Sequence, residues 1–105
     1  MNYKKDYTFL LLWTLAKSLR KIKGVRIVSS SRLITLMSND RYNIVFNFNP
    51  GRRSVELMDK LSHKRDGDIV YNFSGFDNQL GNRDFRKILY DNCQEIYKEV
   101  AKCSK

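Results

Sequence analysis

Cationic and aromatic side chains share one stretch near the start of the chain, and together they have the chemistry of a nucleic-acid contact. If residues 6–23 form a helix, Lys17, Arg20 and Lys21 fall on one arc of it. Trp13 lies one and two turns before Lys17 and Arg20, beside this arc. Because lysine and arginine neutralise phosphates and an indole ring stacks on an unpaired base, the stretch predicts a nucleic-acid-binding surface. An alternative is that Trp13 is half-buried beneath the chain termini.

Further basic residues follow this helix and mark two later turns. Lys23 and Arg26 come directly after the cationic arc and are predicted to extend it. Two more pairs flank predicted turns: Arg52 with Arg53, and Lys64 with Arg65. Because successive turns of a meander lie at opposite ends of the sheet, these pairs do not predict one continuous patch.

The charge of the chain is concentrated at its beginning. The net charge is +9, yet residues 1–26 contain seven basic residues and one acidic residue. This asymmetry indicates an anionic partner, either a nucleic acid or nucleoprotein complex, or an acidic protein surface. In the second case the protein would be a binding module such as an inhibitor or assembly subunit, which could also use an edge strand or an asparagine-rich sheet face. A basic helix that only maintains solubility is a further alternative.

The sequence offers little for catalysis or metal binding. His63 is the only histidine, and it stands beside basic residues near a predicted hairpin, as a solvated turn residue does. No phosphate-binding glycine loop, zinc-ligand spacing or EF-hand loop is present. We therefore predict a non-enzymatic protein without a metal or cofactor. A weaker alternative is an enzyme that uses His63 with Asp66 or Asp68.

The two cysteines indicate a reducing compartment. Cys93 and Cys103 are ten residues apart on the last predicted helix, roughly 15 Å along its axis, which is too far for a disulfide. The apolar run of the first helix is about ten residues long, and it precedes basic residues rather than a cleavage site. No run reaches the length of a membrane span. These features predict a cytoplasmic protein that is not inserted in a membrane.

The first helix also has an apolar stripe that suits packing on a sheet. Its members fall within one 100° arc: Leu11, Leu12, Leu15, Leu19 and Ile22. Asp6 or Thr8 is predicted to cap the start of this helix, and Gly24 to supply the left-handed residue that ends it.

Short strands are predicted between the two helices. Residues 25–30 and 32–37 are the first two, and residues 42–49 form the clearest, because apolar and mostly polar residues alternate along it. Residues 54–61 suit a strand or a short helix. We favour the strand, because Asp66-Gly67 is a hairpin signal and alternation resumes at residues 69–73. One apolar face predicts an antiparallel sheet covered on one side only, with its asparagine-rich face in solvent.

A second amphipathic helix closes the chain. Asn82 or Asp84 is predicted to open it, and its apolar stripe contains both thiols: Phe85, Leu89, Cys93, Ile96, Val100 and Cys103. Both cysteines are therefore predicted to face the core. Two helices with one apolar stripe each, on one face of a meander of four to five strands, predict a single α+β domain over residues 1–105, built as a two-layer sandwich.

Two families have a similar order of elements. The spacing of GVRIVSSSRLITL, RYNIVFNFNPGRRSVEL and a closing helix resembles that of frataxins. The resemblance implies the same fold with a diverged role, because Glu56 stands where frataxins have a tryptophan, and the first helix is basic where they carry an acidic iron-binding ridge. The layout and basic balance are also similar to those of the Alu-RNA-binding subunits of the signal recognition particle.

Overall fold

A helix at each end flanks a five-stranded sheet. The computed structural model describes residues 7–61, 68–73 and 83–104, apart from the side chain of Phe85. Its elements are α1 (Tyr7–Arg20), β1 (Arg26–Ser30), β2 (Ile34–Ser38), β3 (Tyr42–Asn47), β4 (Ser54–Asp59), β5 (Ile69–Asn72) and α2 (Arg83–Lys102). Every strand pairs antiparallel with the next, in the spatial order β1-β2-β3-β4-β5. The predicted α+β sandwich is confirmed, and residues 54–59 are a strand.

The limits of α1 differ slightly from those predicted. The helix ends at Arg20, and the backbone then tightens, since Lys21 and Ile22 each bond to the carbonyl three residues earlier. Gly24 has a φ of 95°, so it provides the predicted left-handed residue. Thr8 is not the cap, because it lies inside the helix, where its Oγ1 is buried without a partner among the described residues. The alternative cap, Asp6, lies outside those residues.

The core lies between the helices and one face of the sheet. Alternation along β3 is regular: Tyr42, Ile44 and Phe46 are buried, and the residues between them are partly exposed. In β4, Val55 and Leu57 face the same side as their β3 partners Phe46 and Ile44. The helices contribute Leu12, Leu15 and Leu19 from α1, and Leu89, Cys93, Ile96 and Val100 from α2. Cys103 is partly buried against this core, so the predicted orientation of both thiols is confirmed.

The opposite face of the sheet is open. Asn43 and Asn47 of β3 are partly exposed there, as predicted. The same face presents Glu56, which β3 and β4 pair with Val45. No helix within the described ranges is both long and apolar enough to cross a membrane.

Strand β1 extends beyond the helical layer at one edge of the sheet. All five of its residues are exposed, and Val28 is 54% exposed. The register shifts between Ile27 and Ser29, which indicates a bulge. One edge of the sheet is therefore uncovered on both faces by the described residues.

A charged pair joins the β2–β3 turn to the end of β4. Arg41 donates from Nε and Nη2 to the two carboxylate oxygens of Asp59, at 3.1 and 3.0 Å. The side chain of Asp59 is only 4% exposed, and its carboxylate also accepts the N–H of Leu61. The hydrogen bonds from Arg41 and Leu61 lower the pKa of Asp59 below its ordinary value.

We expect Asp59→Asn to destabilise the protein at neutral pH and to change its response to acid. A carboxylate with a lowered pKa stabilises the fold above its unfolded pKa of about 3.9, and this contribution disappears as the pH falls through the lower folded value. Urea unfolding should therefore give a lower free energy of unfolding for the variant than for the native protein at pH 7. This difference in free energy should become smaller in acid. Asp91→Asn is the control, because the Lys87–Asp91 pair is exposed and should contribute little. An equal effect of both variants at pH 7 would contradict the expectation.

Candidate functional site

The predicted cationic surface of α1 is present and accessible. Lys17, Arg20, Lys21 and Lys23, which we call the cationic face, are all exposed. Lys17 and Arg20 lie across α1 from the buried Leu12, Leu15 and Leu19, so packing of the apolar stripe directs them outward, and Lys21 and Lys23 follow directly after the end of the helix. Among the described residues, none of the four forms an ion pair. Their charge is therefore available to an anionic ligand.

Trp13 adjoins this face. The ring is 46% exposed, and Lys17 Nζ lies 4.4 Å from its centroid, which is a cation–π contact. About half of the Trp13 surface is therefore accessible, and residues 1–6 and 105, the termini that the alternative interpretation places over it, lie outside the described residues. An indole held in this way has one surface toward a cation and others toward solvent.

Trp13 also lines a cleft. It has a volume of about 410 Å³ and lies between the first half of α1 and two turns of the sheet, β1–β2 and β3–β4. Its apolar lining consists of Phe9, Trp13, Leu33, Phe48 and Pro50. Its polar lining consists of Ser30, Ser31, Arg32, Thr35 and Arg53. We call this site the α1 cleft.

Arg53 lies inside the protein, which corrects its predicted place on an exposed surface. It is 4% exposed, its Nε donates to the Phe48 carbonyl at 3.3 Å, and its guanidinium lies 5.7 Å from the Phe9 ring centroid. The physical cause is the turn after β3, which brings Arg53 back onto the helix side of the sheet. A buried cation against an aromatic ring thus forms part of the wall of the α1 cleft.

The other predicted basic residues are divided among separate surfaces. Arg52 is exposed and borders a shallow pocket on the open face with Glu56 and Val70, so neighbouring arginines point to opposite faces of the sheet. Arg26 is exposed too, and strand alternation places it on the face opposite Ile27, whose partner Met37 is in the core. Arg26 therefore does not extend the cationic face as predicted. Lys64 and Arg65 lie outside the described residues.

Aromatic, hydroxyl and guanidinium groups dominate the chemistry of the α1 cleft. Its described lining contains no carboxylate, histidine or thiol. Within the described ranges, no three side chains of histidine, cysteine, aspartate or glutamate are grouped so that they could hold a metal ion. His63, Asp66 and the rest of the predicted hairpin lie outside those ranges.

Sequence reasoning missed most of the cleft. Phe9 and Phe48 were assigned to no site, although their rings meet edge to face at 5.5 Å between centroids. Arg32 and Leu33 belong to the turn after β1 and gave no signal of their own. These residues are far apart in the sequence, and only the packing of α1 on the end of the sheet brings them together.

Comparisons with protein-family models, with curated proteins and with solved structures found no match. Function is therefore inferred from the residues of this chain.

Proposed function

We propose that this protein binds nucleic acid through the cationic face of α1. Lys17, Arg20, Lys21 and Lys23 would contact phosphates, and Trp13 would add an aromatic contact at the edge. The position of Trp13 is the observation that carries the proposal. Trp13 is 46% exposed, its ring centroid lies 4.4 Å from Lys17 Nζ, and the same side chain lines the α1 cleft.

If these residues contact phosphates, the affinity for nucleic acid should depend on salt concentration in a specific way. Each neutralised phosphate of a single strand contributes about 0.7 to the slope of log affinity against log salt. A triple variant with Lys17→Ala, Arg20→Ala and Lys21→Ala should therefore flatten the slope by about two. The measurement is fluorescence anisotropy of labelled single-stranded RNA, single-stranded DNA and duplex DNA across a salt series.

A second triple variant separates contact from net charge. Arg83→Ala, Arg86→Ala and Lys98→Ala remove the same charge from exposed positions on α2. This control should leave the slope close to that of the native protein. Equal flattening by both variants would indicate only a general charge effect, and no binding at low salt would exclude nucleic acid as a direct ligand.

A protein-binding module is the second candidate, and the exposure of β1 favours it. All five residues of this edge strand are accessible in the described structure, and an exposed edge can accept a strand from a partner. A partner with an acidic surface would also suit the cationic face. Capture of one saturable protein that polyanions do not displace would support this function over the first.

The proposed setting is a reducing cytoplasm. Cys93 and Cys103 are both free thiols, which is usual for proteins in that compartment.

A further inference from the structure

The walls of the α1 cleft suit a flat apolar ligand. Phe9, Trp13 and Phe48 supply three aromatic side chains, and Pro50 supplies a further apolar wall. The volume of about 410 Å³ lies within the range of pockets that hold small ligands. A planar ring could therefore enter and lie against aromatic surface.

The hydroxyl groups of the α1 cleft are already engaged with the protein. Ser31 Oγ donates to the Ile34 carbonyl and accepts the Ile34 N–H, both at 3.1 Å. Ser30 and Thr35 share a hydrogen bond between their hydroxyls at 3.2 Å. Arg53 Nε is bonded to the Phe48 carbonyl, so the exposed Arg32 is the residue of the polar lining whose donors are left for a phosphate or a base edge. The site thus favours stacking and shape over sequence recognition.

Charge around the opening indicates an anionic ligand. Arg32 is exposed and forms no ion pair among the described residues, and the described lining has no carboxylate. Trp13, which lines the cleft, is also in contact with Lys17. Arg20 follows two turns after Trp13 on the same helix, roughly 10 Å along the axis. Basic side chains are therefore found both in the lining of the cleft and farther along α1.

We infer that the α1 cleft receives one unstacked base of a single strand whose phosphates lie along the cationic face. This inference rests on the proposed function and specifies its substrate class as single-stranded nucleic acid. A duplex keeps its bases paired and stacked, so it would have to extrude one to fill the cleft. The structure of the cleft predicts little preference among bases.

An abasic oligonucleotide separates the base from the phosphates. Labelled oligothymidine is compared with an oligomer of equal length in which tetrahydrofuran residues replace the nucleosides, so that the phosphates remain and the bases are absent. Loss of one stacked base should weaken binding by about five- to 150-fold. Because the chain has one tryptophan, Trp13 fluorescence reports directly on this site. Oligothymidine should quench it, and the abasic oligomer should not.

Two sets of variants, one of aromatic residues and one of added carboxylates, locate the effect. Trp13→Ala should abolish the difference between the two oligomers, and Trp13→Phe should restore part of it, whereas Tyr90→Ala removes an exposed aromatic ring from α2 and should change nothing. Leu33→Glu puts a carboxylate at the cleft and should weaken oligothymidine binding by about tenfold. Ile34→Glu is the matched control, because Ile34 is equally exposed (47% against 48%) but is not part of the cleft lining.

The results distinguish failure of the inference from failure of the proposed function. Equal affinity for the thymidine and abasic oligomers, with the steep salt dependence kept, would overturn the base site and leave phosphate binding intact. Duplex binding as tight as single-strand binding would do the same. If neither oligomer binds at low salt, the base site is wrong, and if the RNA and duplex probes also fail to bind, the proposed function is wrong as well.

Discussion

Replacing Asn39 with alanine is expected to lower the free energy of unfolding by about 3 kcal/mol. Asn39 is 1% exposed, and its Oδ1 accepts the backbone N–H groups of Arg41 and Tyr42 at 2.9 and 2.6 Å. Its Nδ2 donates to Ser104 Oγ at 2.7 Å, just beyond the end of α2. Alanine would leave these buried or half-buried groups without their partner and would remove one of the links between the β2–β3 turn and the second helix.

Urea unfolding of Asn39→Ala and Asn43→Ala tests this expectation. Asn43 is partly exposed on the open face of β3, and no side-chain hydrogen bond of Asn43 is found within the described structure. Its replacement should change stability by no more than about 0.5 kcal/mol. Similar losses in both variants would show that the Asn39 bonds do not hold the turn. Tyr42, whose hydroxyl donates to Glu99 at 2.7 Å, provides a second link to α2, so some attachment should survive in Asn39→Ala.

The thiol of Cys93 is expected to be almost inert while the protein is folded. Burial raises its pKa to about 12 from an ordinary value of 9.0. Because the thiolate is the reactive form, its population at neutral pH should fall roughly a thousandfold, and burial also blocks a reagent from reaching the sulfur. We therefore expect Cys93 to react with a disulfide reagent only when the protein opens.

A Cys103→Ser variant makes this measurable, because Cys93 is then the only thiol. Its labelling by an aromatic disulfide, followed by absorbance, should be slow in buffer and fast in denaturing guanidinium. Rapid labelling in buffer, with circular dichroism showing a folded protein, would contradict the expectation. In the matched Cys93→Ala variant, Cys103 is only partly buried and should react sooner, although burial and its hydrogen bond to Glu99 also raise its pKa.

The fold could be predicted because each of its main elements has a local sequence pattern. Alternation along Tyr42–Asn47 gives both the strand and its buried face, and the stripe through Leu89 and Val100 gives the contact side of α2. Gly24 gave the left-handed ending of the helical segment for a local steric reason. Such signals depend on residues within a turn or two of each other, so the sequence contains them.

The candidate site was only half predictable, because half of it depends on distant contacts. The exposed cations of α1 follow from the helical period. Arg52 and Arg53, by contrast, are adjacent residues of the same type. Only the path of the turn after β3 decides which one is exposed and which lies against Phe9. The exposure of β1 likewise depends on where the helices pack over the sheet. No local sequence pattern indicates where the helices pack over the sheet.

The arrangement of the helices has a consequence for how the protein is made. α1 and α2 lie on either side of all five strands in sequence, yet they pack against each other over the same core. During synthesis α1 and the five strands are made before α2, and α2 can pack only after it has left the ribosome, so half of the covering layer is absent until then. Any core face of the sheet that has already formed around Leu57 and Phe46 remains accessible to other chains or chaperones until α2 packs on it. A chain truncated before α2 would thus expose apolar core residues and be prone to aggregation, rather than fold as a smaller unit.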